Sequence, residues 1–232
     1  MISAAAAFEP ALAFLHQHLF SPDRIVSGEP VSLSQRRYRF EHCQRVARIG
    51  RVVAQAEGLD GDVLALGCLL HDVGKFDAPF PVDHGRAGAV VAHQFLSALG
   101  LDQSQRDEIV QGIAMHTDDL YNPRSDGQGG DHDVHGRPYL VFDTSPSLLA
   151  RCIGDCDNID RFGAYRVADT LAYIGFMDLS TTEQLRWLKS YLNKLDRLWS
   201  QPCATQTATR LWQEAIDVQR TFFGRLATEL TA

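Results

Sequence analysis

Apolar residues recur at intervals of three and four along most of this chain, and runs that alternate apolar with polar residues between hairpin turns are nearly absent. That periodicity commits the chain to an all-α fold. Punctuation by Gly, Pro, Ser and Asp divides it into predicted helices over about 10–19, 34–57, 60–71, 84–99, 102–116, 146–159, 181–199 and 205–230, with further breaks at Gly163, Asp178 and Pro202. The stretch 121–146, rich in Gly, Asp and Pro, is too long and polar for an ordinary helix connection and reads as a surface loop or a lid. With 232 residues, 45% of them hydrophobic and 22% charged, the chain suits one helical domain spanning 1–232. Its core is expected over about 36–175, with a C-terminal helical extension over about 180–230.

Charge and cysteine usage narrow the partners. A formal net charge of −7 lacks the basic excess of a protein that tracks a nucleic-acid backbone, so polymeric nucleic acid is not expected as a partner. A small anionic substrate held by cations is compatible with it. The five cysteines, Cys43, Cys68, Cys152, Cys156 and Cys203, form neither an even disulfide framework nor a CxxC pair, which suits reduced thiols in the cytoplasm. No basic residue precedes Ala4 to Ala7, and Glu9 and Pro10 follow, which is unlike a secretory signal. The longest apolar run, around 63–70, is far shorter than the roughly 20 residues of a membrane span. A soluble, cytoplasmic protein is expected, with its oligomeric state open.

Six polar side chains fall where a helical core should be apolar. His71 and Asp72 end the helix LALGCLLHD; His42 lines up with Val46, Ile49 and Val53; His84 with Gly88, Val91 and Phe95. His116 follows Ile109 and Ile113, and Asp157 follows Leu149 and Ile153. Taken singly, an inward histidine is more often a satisfied core residue than a ligand. Together, four His and two Asp in one core would leave several kcal/mol of uncompensated desolvation, about what a bound metal ion would offset. Imidazole and carboxylate without thiolate suit Fe, Mn, Co, Ni or Zn. His93 sits on another face, and His16, His18, His132 and His135 lie in polar or terminal contexts.

The segments RFEH ending at His42, LLHD at His71 and Asp72, and DCDNID containing Asp155, Asp157 and Asp160 resemble the HD superfamily of metal-dependent phosphohydrolases. The likeness runs from about His42 to Asp160, and the family pattern places its last ligand on Asp157. HGRAGA with His84 and IAMHT with His116 resemble the extra histidines of members that hold two metals. The resemblance implies an HD-type helical bundle in which His42, His71, Asp72 and Asp157 hold one ion. It also implies that Asp72 bridges to a second ion on His84 and His116. Two divalent ions per chain are expected, Fe or Mn first, with Co, Ni or Zn as further candidates. The segment NIDRFGAYRVADTLAY is similar to a bacterial HD branch that includes nucleotide pyrophosphohydrolases, and the chain lacks the HDxxED variant of guanosine tetraphosphate hydrolases.

Such a site would activate water against a phosphate ester or anhydride, a nucleotide among the candidates, with Asp72 in the catalytic set. Lys75 is a candidate both for catalysis and for phosphate binding, against the plainer reading of a solvated lysine at a helix end. Arg86 and Arg161 are further candidates for substrate binding. Asp160 is a candidate proton acceptor or ligand orienter, although capping or a salt bridge to Arg161 would also explain it. Cys152 and Cys156 read as packing. Two other functions stay open. Some HD proteins are di-iron oxygenases with the same ligand order, and a non-catalytic regulatory module could retain the metal for structure.

Overall fold

The computed structural model describes residues 1–23, 25–26, 29–122 and 130–231. The all-α expectation holds. Among the described residues the strands are two short antiparallel ones, β1 (Ile25–Val26) and β2 (Glu29–Pro30), paired Ile25 to Pro30 and Val26 to Glu29. The chain divides into two compact units, Met1–Asp157 and Asn158–Ala232. The dividing point lies inside a helix, ahead of the 175–180 boundary drawn from the breakers.

The first unit contains α1 (Ala4–Leu19), α2 (Leu33–Glu57), α3 (Gly61–Leu70), α4 (His84–Leu99), α5 (Gln103–Met115) and most of α6 (Leu148–Arg161). Helix α1 starts six residues before the predicted one, and Pro10 lies within it. Ser3 caps the new start by accepting from Ala6 N, and Ala4, Ala7, Ala11, Leu15 and Leu19 form a buried stripe running past the proline. Helix α2 opens on a Ser32–Gln35 capping box, and α3 on Asp60, which accepts from Asp62 N and Val63 N. Every residue of α3 from Val63 to Leu70 is buried, as befits a central helix; α1, α2 and α5 pack around it.

After Leu70 the helix gives way to successive tight turns, with Val73 N donating to Leu70 O, Lys75 N to Asp72 O and Asp77 N to Gly74 O. These turns carry His71, Asp72 and Lys75. Gly74 lies against the α4 backbone so closely that a Cβ there would collide with Gly88. A 3-10 turn, Pro81–Asp83, leads into α4, and α4 packs on α5.

Of the stretch 121–146, residues 123–129 lie outside the described residues, so the expectation of a lid falls partly there. The described remainder is tied down. Asn122 and Phe142 exchange hydrogen bonds, Val134 N donates to Asp77 O, Gln111 Nε2 donates to Thr144 O, and Tyr139 packs on Ala87 and Val90.

The second unit holds α7 (Tyr165–Tyr173), α8 (Thr181–Trp199) and α9 (Gln206–Glu229). Helix α7 was not expected: no side chain caps its start and none of its residues is buried. Helix α8 opens on a Ser180–Glu183 capping box and packs on α9 through Leu188, Leu195, Trp212, Ile216 and Phe223. The buried amide of Gln219 accepts from Tyr191 Oη at 2.7 Å and donates to Phe162 O at 2.7 Å.

Candidate metal centre

Five segments of the first unit deliver the six inward residues to one place. His42 comes from α2, His71 and Asp72 from the turn after α3, His84 from the start of α4, His116 from the end of α5 and Asp157 from α6. His42, His71, Asp72, His116 and Asp157 are each at most 5% exposed, and His84 is half-buried.

The histidines are aimed by their own backbones. His71 Nδ1 donates to Cys68 O at 2.7 Å, His116 Nδ1 to Ile113 O at 2.7 Å and His84 Nδ1 to Pro81 O at 2.5 Å. In each case the carbonyl lies three residues earlier. With Nδ1 occupied, each ring turns Nε2 inward, the tautomer that a metal ion requires.

Those inward nitrogens meet in two pairs. His42 Nε2 is 3.2 Å from His71 Nε2, and His84 Nε2 is 3.2 Å from His116 Nε2. Asp72 stands between the pairs. Its Oδ2 is 3.6 Å from His42 Nε2 and 3.4 Å from His71 Nε2; its Oδ1 is 3.0 Å from His84 Nε2 and 3.6 Å from His116 Nε2. Asp157 closes the first pair, with Oδ1 3.0 Å from His42 and 3.6 Å from His71. Donor atoms of His42, His71 and Asp157 cluster tightly enough to hold an ion, as do those of His71, Asp72 and His116.

The electrostatics call for a cation. Burial alone would raise the Asp72 carboxyl, but Arg39, His71 and Lys75 outweigh it and hold it well below the usual carboxylate range. Asp157 is likewise opposed by burial and is held low by His42 and His71. His71 is pushed well above the ordinary imidazole range: burial lowers it, and Asp72 with its neighbours more than compensates. His84 is pushed down to about 4 by burial and by Lys75, so it presents a neutral ring. Asp72 Oδ1 is buried with no hydrogen bond among the described residues. A buried carboxylate oxygen facing two imidazole nitrogens fits a metal ion.

Lys75 reaches this edge, with Nζ 3.3 Å from His84 Nε2. Arg86, expected to bind substrate, is 1% exposed, and its guanidinium is taken by Asp83 and Asp118, both at 2.9 Å. Asp160 and Arg161 lie one turn beyond Asp157 in the same helix, past the dividing point; Asp160 is buried and Arg161 exposed. Burial pushes the thiols of Cys43 up to about 11 and of Cys152 up to about 12, which makes both poor ligands at neutral pH. Sequence reasoning missed Arg39, whose guanidinium pairs with Asp72 Oδ2. The signal was its place one turn before His42, on the same stripe.

The model of the HD domain matches residues 39–161, which include every residue of this cluster. The chain belongs to the HD domain family. Three solved structures share the fold. An HD-superfamily hydrolase from Bacillus thuringiensis is 17% identical, with a TM-score of 0.63 over 99% of this chain and 99% of its own. A predicted HD superfamily hydrolase from an uncultured Thermotogales bacterium is 18% identical, with a TM-score of 0.58 over 96% of this chain and 92% of its own. Bacillus subtilis YpgQ, in complex with ADP, is 14% identical, with a TM-score of 0.54 and the same coverage of 96% on both sides. No curated protein matches the chain. No described helix of this HD protein is long and apolar enough to cross a membrane.

Proposed function

We propose that this HD protein is a metal-dependent phosphohydrolase that cleaves a small phosphate ester or anhydride, a nucleotide among the candidates, at a pair of divalent cations. The division of Asp72 carries the reading: one oxygen faces His42 and His71, the other faces His84 and His116. A carboxylate placed so can serve two ions at once. His42, His71, Asp72 and Asp157 would hold the first; Asp72, His84 and His116 the second. When bound, the ions supply Lewis acidity toward a phosphoryl oxygen and acidify a water for attack on phosphorus.

The chain's own residues supply the rest. Arg39 holds Asp72 through Oδ2, and the three carbonyl-anchored rings cannot turn away without breaking a hydrogen bond. Burial of five of the six residues keeps bulk water from damping the field. Lys75 places a positive charge at the His84 edge, where a phosphate oxygen can meet it. Asp160 as proton acceptor and Arg161 as anion contact are proposed from their places in the sequence alone. The ADP bound to YpgQ supports a nucleotide-sized ligand.

Two measurements test the reading. Elemental analysis should find about two ions per chain, none in Asp72→Ala and about one in His116→Ala. Loaded with Mn without oxygen, the protein should release phosphate or pyrophosphate from a panel of nucleotides and small phosphate esters. Unchanged metal in Asp72→Ala would overturn the shared carboxylate. Absence of release with any metal, together with oxygen uptake by the iron form on adding an organic substrate, would replace hydrolysis by oxygenation.

A further inference from the structure

We propose that Arg86 is the positioning residue for the His84–His116 half of the cluster, so that uptake of the second ion depends on it and uptake of the first does not. The proposal rests on the two-ion reading. Its basis is a buried guanidinium that joins the two segments carrying these histidines. Nη1 of Arg86 donates to Asp83 Oδ1 at 2.9 Å, and Asp83 immediately precedes His84. Nη2 donates to Asp118 Oδ2 at 2.9 Å, and Asp118 lies two residues past His116.

Neighbouring contacts make this a brace. Thr117 Oγ1 donates to Val82 O at 3.0 Å, and Leu120 N donates to Asp118 Oδ1 at 3.1 Å. The second oxygen of Asp83 accepts from Gly130 N at 2.6 Å, which ties the described end of the long loop to the same point. Between the two histidines, Gly85 touches the end of α5: a Cβ there would lie 2.8 Å from Ile113 O and 3.1 Å from His116 Nδ1. The first turn of α4 and the last of α5 are thus pressed together with no side chain between them. What keeps the two Nε2 atoms 3.2 Å apart is the ion-paired fork beside them.

His42 and His71 owe nothing to this fork. They stand on α2 and on the turn after α3, and His71 is aimed by Cys68 O. Loss of Arg86 therefore loosens one half of the cluster and spares the other. The fork also matters chemically. A planar guanidinium holds two carboxylates in fixed directions, whereas an ammonium serves one of them well.

The test is Mn²⁺ titration of metal-stripped protein, followed by calorimetry and low-temperature electron paramagnetic resonance, on wild type, Arg86→Gln, Arg86→Lys and Asp118→Asn. In Arg86→Gln the second ion should bind at least ~10-fold more weakly with the first unchanged. The exchange-coupled signal of the pair should give way to the six-line signal of isolated Mn²⁺. Arg86→Lys and Asp118→Asn should fall between. Asp118 is the more exposed partner, and its change leaves the Arg86–Asp83 pair in place, so it decides the matter if Arg86→Gln does not fold. Two ions at wild-type affinity in the variants, equal weakening of both ions, or a raised KM with both ions retained would each overturn the proposal. A wild type that takes up one ion overturns the two-ion reading as well, whereas a two-ion wild type with unaffected variants overturns this proposal alone.

Discussion

At the scale of single residues, the cluster is a set of mutual dependences between charge and burial. Four imidazole rings and two carboxylates share one largely buried volume, and without metal the negative charge of the carboxylates is opposed by Arg39 and by His71, whose pKa they raise. His71 has a folded pKa above its unfolded one, so the stability it contributes is present below the ordinary imidazole range and is lost as pH rises through the raised value. Asp72 and Asp157 have folded pKa values below their unfolded ones, so their contribution is present above the ordinary carboxylate range and is lost as pH falls. A metal ion held by His71 as proposed would displace the proton on that ring. The metal-stripped protein should therefore lose thermal stability as pH rises above about 7, while the Mn-loaded protein should not, and binding near neutral pH should release a proton. Melting curves of both forms, with calorimetry in buffers of different ionisation enthalpy, check this. Parallel pH profiles would remove the proton from His71.

At the scale of elements, the site depends on how closely helices approach. Gly74 lets the turn that carries Asp72 and Lys75 lie directly on the α4 backbone at Gly88. In Gly74→Ala the new methyl has no side chain to push aside, only backbone. The turn must separate from α4, at a cost of at least ~2 kcal/mol, and Asp72 moves away from His84 as it does. Urea denaturation should show the loss of stability, and metal analysis should show weaker uptake of the second ion. A Gly74→Ala protein of wild-type stability would mean that the turn relaxes freely.

At the scale of the whole molecule, the chain divides into two compact units at Asp157, within a continuous helix that carries the last residue of the cluster. One domain over the full chain is the reading proposed from the sequence. If the chain is a single folding domain, thermal unfolding should be one cooperative transition followed identically by far-ultraviolet circular dichroism and by tryptophan fluorescence. The probe is well placed, because Trp187, Trp199 and Trp212 all lie in the second unit while the His/Asp cluster lies in the first. Added Mn²⁺ should then raise the tryptophan-detected midpoint as far as the one seen by circular dichroism. A fluorescence transition that metal leaves in place would make the second unit an independent domain.

The helices and the six residues of the cluster were legible in the sequence because both obey local rules. A stripe of period 3.6 with caps such as Ser32 and Asp60 marks a helix, and a histidine or aspartate on that stripe must point where the stripe points. Helix α7 was not legible: with no cap and no buried residue, nothing local announces it. The run through Pro10 was hidden as well, because the buried stripe that sustains α1 outweighs the one hydrogen bond the proline removes. Arg39 and Arg86 show what local rules cannot reach. Each is a cation whose role depends on carboxylates distant in sequence: Asp72, 33 residues from Arg39, and Asp118, 32 residues from Arg86. Sequence alone determined which side chains turn inward, since that follows from spacing along one helix. Only the tertiary structure decided which oxygen of Asp72 faces which pair of histidines, and which carboxylates hold Arg39 and Arg86, since those depend on how separate helices meet.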